Sequence, residues 1–248
     1  MKRSEVNAIL EEALAYFAAK KFYLPPFARW SPQEWQTRGP EAAEIVERSL
    51  GWDLTDYGMG EYKKYGLLLF TLRNGWTKPD QFGRQKPYAE KIMVAEPGQQ
   101  HQMHFHARKV EDIINRAGGR LVIQLYNATP DDKLDDTPVE ISQDGVARSL
   151  PAGSVISLQP GESITLWQRM FHQFWAEGER VMIGEVSSVN DDTIDNFFYN
   201  LVGEGRFGSI EEDTRPRYLL STDYRRYWRP VNGATSAVGS QMRNLTED

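Results

Sequence analysis

The chain has 248 residues, 40% of them hydrophobic and 12% aromatic, enough for one large domain with a substantial core. Its formal net charge of −6 excludes the basic footprint of a nucleic-acid binder, and no apolar run reaches the roughly 20 residues of a membrane-spanning helix. With no cysteine, neither a disulfide nor a thiolate metal site can form.

The start, Met1-Lys2-Arg3-Ser4, leads into an amphipathic pattern carrying Glu5, Glu11 and Glu12, so it does not read as a secretory signal. Cytoplasm is then the default compartment. Ser4 is a plausible N-cap, and Val6, Ile9, Leu10, Leu14, Phe17 and Ala18 recur at helical spacing until about Lys21. Pro25-Pro26 stops that helix. Ser31-Pro32 opens a short second one, and a third pattern from about Pro40 to Leu50 ends at Gly51.

From Tyr65 the period changes to that of strands. Leu67 to Leu72 is followed by the turn dipeptide Asn74-Gly75, and Lys91 to Val94 leads into a histidine-bearing stretch. Further short apolar runs begin at Arg120, Val139, Val155, Ser163, His172 and Val181. Gly118-Gly119, Asp144-Gly145, Pro151-Ala152-Gly153, Pro160-Gly161 and Glu177-Gly178 separate most of them as turns. This pattern predicts an all-β fold, an antiparallel barrel or jelly roll. The expected division is a helical extension over 1–60, the barrel with the active site over 61–228, and a polar tail over 229–248.

Three of the four histidines, His101, His104 and His106, fall within six residues, and the fourth is His172. A two-residue spacing puts His104 and His106 on one face of a strand, and Glu111 just beyond offers an oxygen ligand after a bend. His101 stands at an odd offset from His104, so its ring is expected to point elsewhere and not to bind the ion. Gly98, His104, His106, Glu111 and Gly118 have the spacing of the first cupin motif. His172 stands where the second motif supplies its histidine, although Trp167 to Phe171 replace the usual Pro-x-Gly before it.

Three imidazoles and one carboxylate suit Mn²⁺, Fe²⁺, Co²⁺, Ni²⁺ or Zn²⁺ and leave two open octahedral positions. Those positions can chelate neighbouring oxygens of an α-hydroxy aldehyde or ketone, and the ion then stabilises the enediolate that forms on proton loss. The same ligands could serve an iron-dependent dioxygenase or a sugar-binding cupin without catalysis, since the fold alone does not decide.

The run Gly184 to Asp192, followed by Asp195-Asn196-Phe197-Phe198, Arg206-Phe207 and Ile210-Glu211-Glu212-Asp213, resembles the D-lyxose isomerase family of cupin sugar isomerases. The resemblance implies interconversion of D-lyxose with D-xylulose, and of D-mannose with D-fructose, through an enediol. It implies manganese at His104, His106, Glu111 and His172, and a homodimer. Lys109 and an acid of the Glu211-Glu212 run are the implied proton carriers, with Glu211 preferred although an extended run leaves the choice open. Lys91 is implied to bind sugar hydroxyls. Arg206 and Arg217 could bind sugar or pair with the acids.

Overall fold

The computed structural model describes residues 1–191, 194–200 and 208–230. Arg206, and the expected tail beyond 230, lie outside the described residues.

Helix α1, Arg3–Ala19, opens the chain. Ser4 falls inside its first turn, where its hydroxyl donates to Asp213, and the cap residue is Lys2. The apolar stripe Val6, Leu10, Ala13, Leu14 and Phe17 is buried. Each large apolar side chain so removed from water contributes about 1.5–3 kcal/mol. Helix α2, Pro32–Gln36, starts at Ser31, whose side chain accepts from Glu34 N as a true N-cap. Helix α3, Ala43–Glu47, is followed by β1, Gly51–Thr55. The helical extension therefore ends before residue 60: β1 pairs antiparallel along β2, Leu67–Trp76, beyond the short α4, Tyr62–Tyr65. Five residues beside a helix-ending glycine show too little periodicity to betray a strand.

The remaining strands are β3 Lys86–Ala95, β4 Gln100–His106, β5 Glu111–Ala128, β6 Leu134–Asp135, β7 Val139–Gln143, β8 Val146–Leu150, β9 Val155–Leu158, β10 Ser163–Leu166, β11 Met170–Ser187 and β12 Asn196–Phe198. The backbone of the sheet runs β1-β2-β3-β11-β5-β10-β7-β8, all described pairings within it being antiparallel, with β4 joined to β11 and β12 to β4. The fold is an all-β barrel of the cupin type carrying helices on one side. The C-terminal part, through α5, Tyr224–Tyr227, returns to cover α1 and β1, and its described residues 208–230 add no strand to the barrel.

Alternation along β3 and β11 separates two cores. Met93, Ala95, Val181 and Ile183 face the barrel interior, while Ile92, Val94 and Met182 face α1. The two-residue hairpin at Asp144-Gly145 is present, with positive φ at both central residues as a type I′ turn demands.

Three other expected turns are bulges inside continuous strands. Asn74-Gly75 lies within β2, where the register against β3 shifts and a Cβ on Gly75 would come within 1.6 Å of Lys86 O. Gly118-Gly119 and Glu177-Gly178 lie within β5 and β11, which pair along almost their whole length and bend together there. A Cβ on Gly118 would meet Arg180 O at 2.0 Å, so the glycines serve close backbone approach. Among the described residues, no helix is long and apolar enough to cross a membrane.

Candidate active site

Pairing of His172 on β11 with His104 on β4 sets the centre of the site, and residues 107–110 turn the chain so that Glu111 starts β5 beside them. The ring nitrogens of His104, His106 and His172 can be chosen within 4.8 Å of one another, and all three rings are buried. Each uses Nδ1 on a backbone carbonyl: His104 on Gln102 O at 2.8 Å, His172 on Met170 O at 3.0 Å, His106 on Asp195 O at 3.2 Å. A carbonyl only accepts, so Nδ1 carries the proton and Nε2 presents a lone pair.

Glu111 Oε1 lies 3.1 Å from His172 Nε2 and 3.5 Å from His106 Nε2, yet it is buried without a hydrogen-bond partner. Burial, then the neighbouring His172, holds the His104 imidazole well below its ordinary pKa. Burial and next Lys109 lower that of His106, so neutral rings face the carboxylate. Burial alone would raise the Glu111 carboxyl, but the adjoining Lys109 ammonium keeps it well below the usual carboxylate range. Lone pairs converging from neutral imidazoles on an ionised, orphaned oxygen repel unless a cation lies among them. His104, His106 and His172 could together hold a divalent ion, and the Glu111 carboxylate stands beside two of them.

Beyond Glu111 runs a buried chain of alternating charge. Lys109 Nζ is 2.6 Å from Glu111 Oε2 and 2.9 Å from Glu185 Oε1, and Lys91 Nζ is 3.3 Å from the same Glu185 oxygen. Lys91 also donates to Asn190 Oδ1 at 2.7 Å, and Asn190 is clamped to Asn74 through its backbone N–H and C=O. Asp195 fixes the turn that presents Lys109, accepting from the N–H groups of Arg108 and Lys109 at 2.8 and 3.0 Å. Together with Leu67, Leu69, Met93, Ile113 and Phe174, the three histidines, Glu111, Lys109, Glu185 and Lys91 line a small, partly open cavity of about 20 Å³.

The structure thus brings His104, His106, Glu111, His172, Lys109 and Lys91 to one cavity. It does not bring Glu211 or Arg217 there. Glu211 is exposed, its backbone paired with Met1 and Arg3, because the acidic run closes onto the start of α1. Glu212 binds Arg3 and Asp213 binds Ser4 in the same closure. Arg217 is held on the outer side of α1 by Glu11 and Asn7.

His101 is a further correction, because it lines the cavity. Between the pairs Phe174↔His101 and His172↔His104, β4 carries one more residue than β11. That bulge reverses the alternation and returns His101 to the face of His104. Glu185 was also missed, although a signal existed: it stands in phase with Val181 and Ile183, an acid at an inward position of an apolar strand.

A sequence profile of the D-lyxose isomerase family matches residues 1–224. A D-lyxose/D-mannose isomerase of Serratia proteamaculans is 46% identical over 231 residues, covering 92% of this chain and 99% of the relative. One from Escherichia coli O157:H7 is 43% identical over 230 residues, covering 92% and 100%. Among solved structures, the L-ribose isomerase of Cellulomonas parahominis with L-ribose superposes with a TM-score of 0.56 at 19% identity, covering 85% of this chain and 98% of that one. That of Geodermatophilus obscurus gives 0.57 at 18% identity over the same shares. The fold is common to both groups, while the extended sequence identity decides the family: the chain belongs to the D-lyxose isomerase family and is a sugar isomerase.

Proposed function

We propose that this enzyme interconverts D-lyxose and D-xylulose, and D-mannose and D-fructose, with a divalent ion, Mn²⁺ first among the candidates, held by His104, His106, Glu111 and His172. The observation that carries the reading is the buried histidine triad with Glu111 Oε1 beside the Nε2 atoms of His172 and His106, next to an ammonium–carboxylate couple in one cavity. When bound, the ion supplies Lewis acidity to the neighbouring oxygens on C1 and C2 of the open-chain sugar.

The chain's own groups do the proton work. The Glu185 carboxylate takes the proton from C2 and returns it to C1. The Lys109 ammonium gives a proton to the oxygen that becomes a hydroxyl and takes one from the oxygen that becomes the carbonyl. Their 2.9 Å contact lets the couple act as one acid–base unit. Lys91, braced by Glu185 and Asn190, is placed to hold a sugar hydroxyl. The charged wall suits a polyol and is a poor seat for the aromatic substrate of a dioxygenase. A homodimer and a cytoplasmic location belong to the same proposal through the family resemblance, and light scattering of the purified protein tests the first.

The experiment is incubation of the Mn²⁺-loaded enzyme with D-lyxose in D₂O. D-xylulose should appear with deuterium at C1, and recovered D-lyxose should carry deuterium at C2. Absence of ketose with every divalent ion tried rejects the proposal.

A further inference from the structure

Tyr57 and His101 have no part in the chemistry above, yet both are buried against it. Tyr57 sits at φ +57°, a left-handed conformation rare for a bulky residue. The loop after β1 enforces it: Thr55 Oγ1 accepts from Tyr57 N–H, and the Asp56 carboxylate accepts from Gly58 and Gly60 N–H. Conformations of this kind persist where the surroundings over-determine them, and they cluster at functional sites.

What the loop secures is an arrangement of four rings. The Tyr57 hydroxyl and His101 Nδ1 are joined by a 2.8 Å hydrogen bond. The His101 ring meets that of His104 edge-on, centroids 4.5 Å apart at 73°. On β12, Phe198 stacks on His104 at 5.5 Å and 28°, and Tyr57 meets Phe198 edge-on at 5.8 Å and 74°. Tyr57, His101, His104 and Phe198 form a closed circuit. The bond from His104 Nδ1 ends on Gln102 O, a residue inside the β4 bulge, so backbone and rings together settle where this imidazole points.

We infer that Tyr57 and His101 are positioning residues for His104, setting the affinity of the centre for its divalent ion without touching it. This rests on the metal-dependent reading above. Outer partners of metal-bound histidines typically change affinity by about 10–100-fold. The pair holds the plane of the ring, and its hydrogen bond is the part that a substitution can remove while leaving the packing in place.

The test is a titration of metal-free protein with Mn²⁺ against a chromophoric chelator, using wild type, Tyr57→Phe, His101→Phe and the double variant. Both substitutions keep an aromatic ring and remove one end of the hydrogen bond. Each single variant should raise the Kd for Mn²⁺ by about tenfold, and the double variant no further, because the two act as a unit. The melting temperature of the metal-free proteins should stay near that of wild type, which a merely structural role would not predict. Single variants within about threefold of wild type overturn the inference, as does a double variant whose loss is the product of the single losses. If Tyr57→Phe does not fold, His101→Phe decides by the same criterion. Wild-type protein that binds no Mn²⁺ overturns the metal centre itself and the inference with it.

Discussion

Glu111 Oε1 lies 3.1 Å from His172 Nε2, while the proton of that imidazole is committed to Met170 O at 3.0 Å. The buried carboxylate thus has an imidazole nitrogen against one oxygen and the ammonium of Lys109 against the other. The buried histidine triad beside this carboxylate could hold a metal ion.

Metal addition should therefore stabilise the fold as well as activate it. At a Mn²⁺ concentration about 100 times its Kd, the gain is about 2.7 kcal/mol, readable by denaturant unfolding. Glu111→Gln keeps the shape but removes the negative charge of the carboxylate, so most of that gain should vanish. A variant that gains as much from Mn²⁺ as wild type would remove Glu111 from the ligand set.

Lys109→Met should lower kcat by about 10²–10⁴-fold, the range for loss of a general acid–base group. It also leaves two buried carboxylates, Glu111 and Glu185, without their shared ammonium. Breaking such a network costs about 3–5 kcal/mol. Adding Glu185→Gln to Lys109→Met should recover part of the stability and none of the turnover. Recovery of turnover would assign the proton work to other groups.

The closure of the C-terminal segment on α1 depends on Arg3, buried between Asp223 and Glu212. The hydrogen bond from Arg3 holds the Glu212 carboxyl below its usual range, outweighing its slight burial. A carboxylate depressed in the folded state adds stability that is complete above its unfolded pKa of about 4.3. That stability is lost as pH falls through the lower folded value. Arg3→Met should thus be destabilised at pH 7, and the gap to wild type should narrow in urea unfolding below about pH 4. A gap that stays constant would show that Arg3 acts through packing alone.

Two glycines with similar backbone angles should differ in their tolerance of a methyl group. Gly145 has φ +82° and open space around its missing Cβ, whereas Gly118 at φ +101° faces Arg180 O at 2.0 Å. Gly145→Ala should cost about 1 kcal/mol of conformational strain and Gly118→Ala at least about 3 kcal/mol, by thermal or urea unfolding. Equal losses would mean that the β5–β11 bend yields easily.

Sequence alone carried what depends on local chemistry. Residue type and spacing pointed to the His104, His106, Glu111 and His172 group, and the period change near residue 65 marked the run of strands from β2 onward but not β1 before it. The Asp144-Gly145 hairpin was legible because its two residues satisfy the turn by themselves. Tertiary structure decided everything that required a second strand. Whether Gly118-Gly119 turns or bulges depends on the glycine-bearing partner β11, and no local signal distinguishes the two outcomes. His101 faces the cavity because β4 has one residue more than β11 between two pairings, and a one-residue slip reverses every side chain beyond it. The acid–base couple likewise joins Lys109 to Glu185 across 76 residues of chain, while the locally conspicuous acids at 211–213 are drawn to Arg3 and Ser4. Charges choose their partners by distance in space, and only the packed barrel sets those distances.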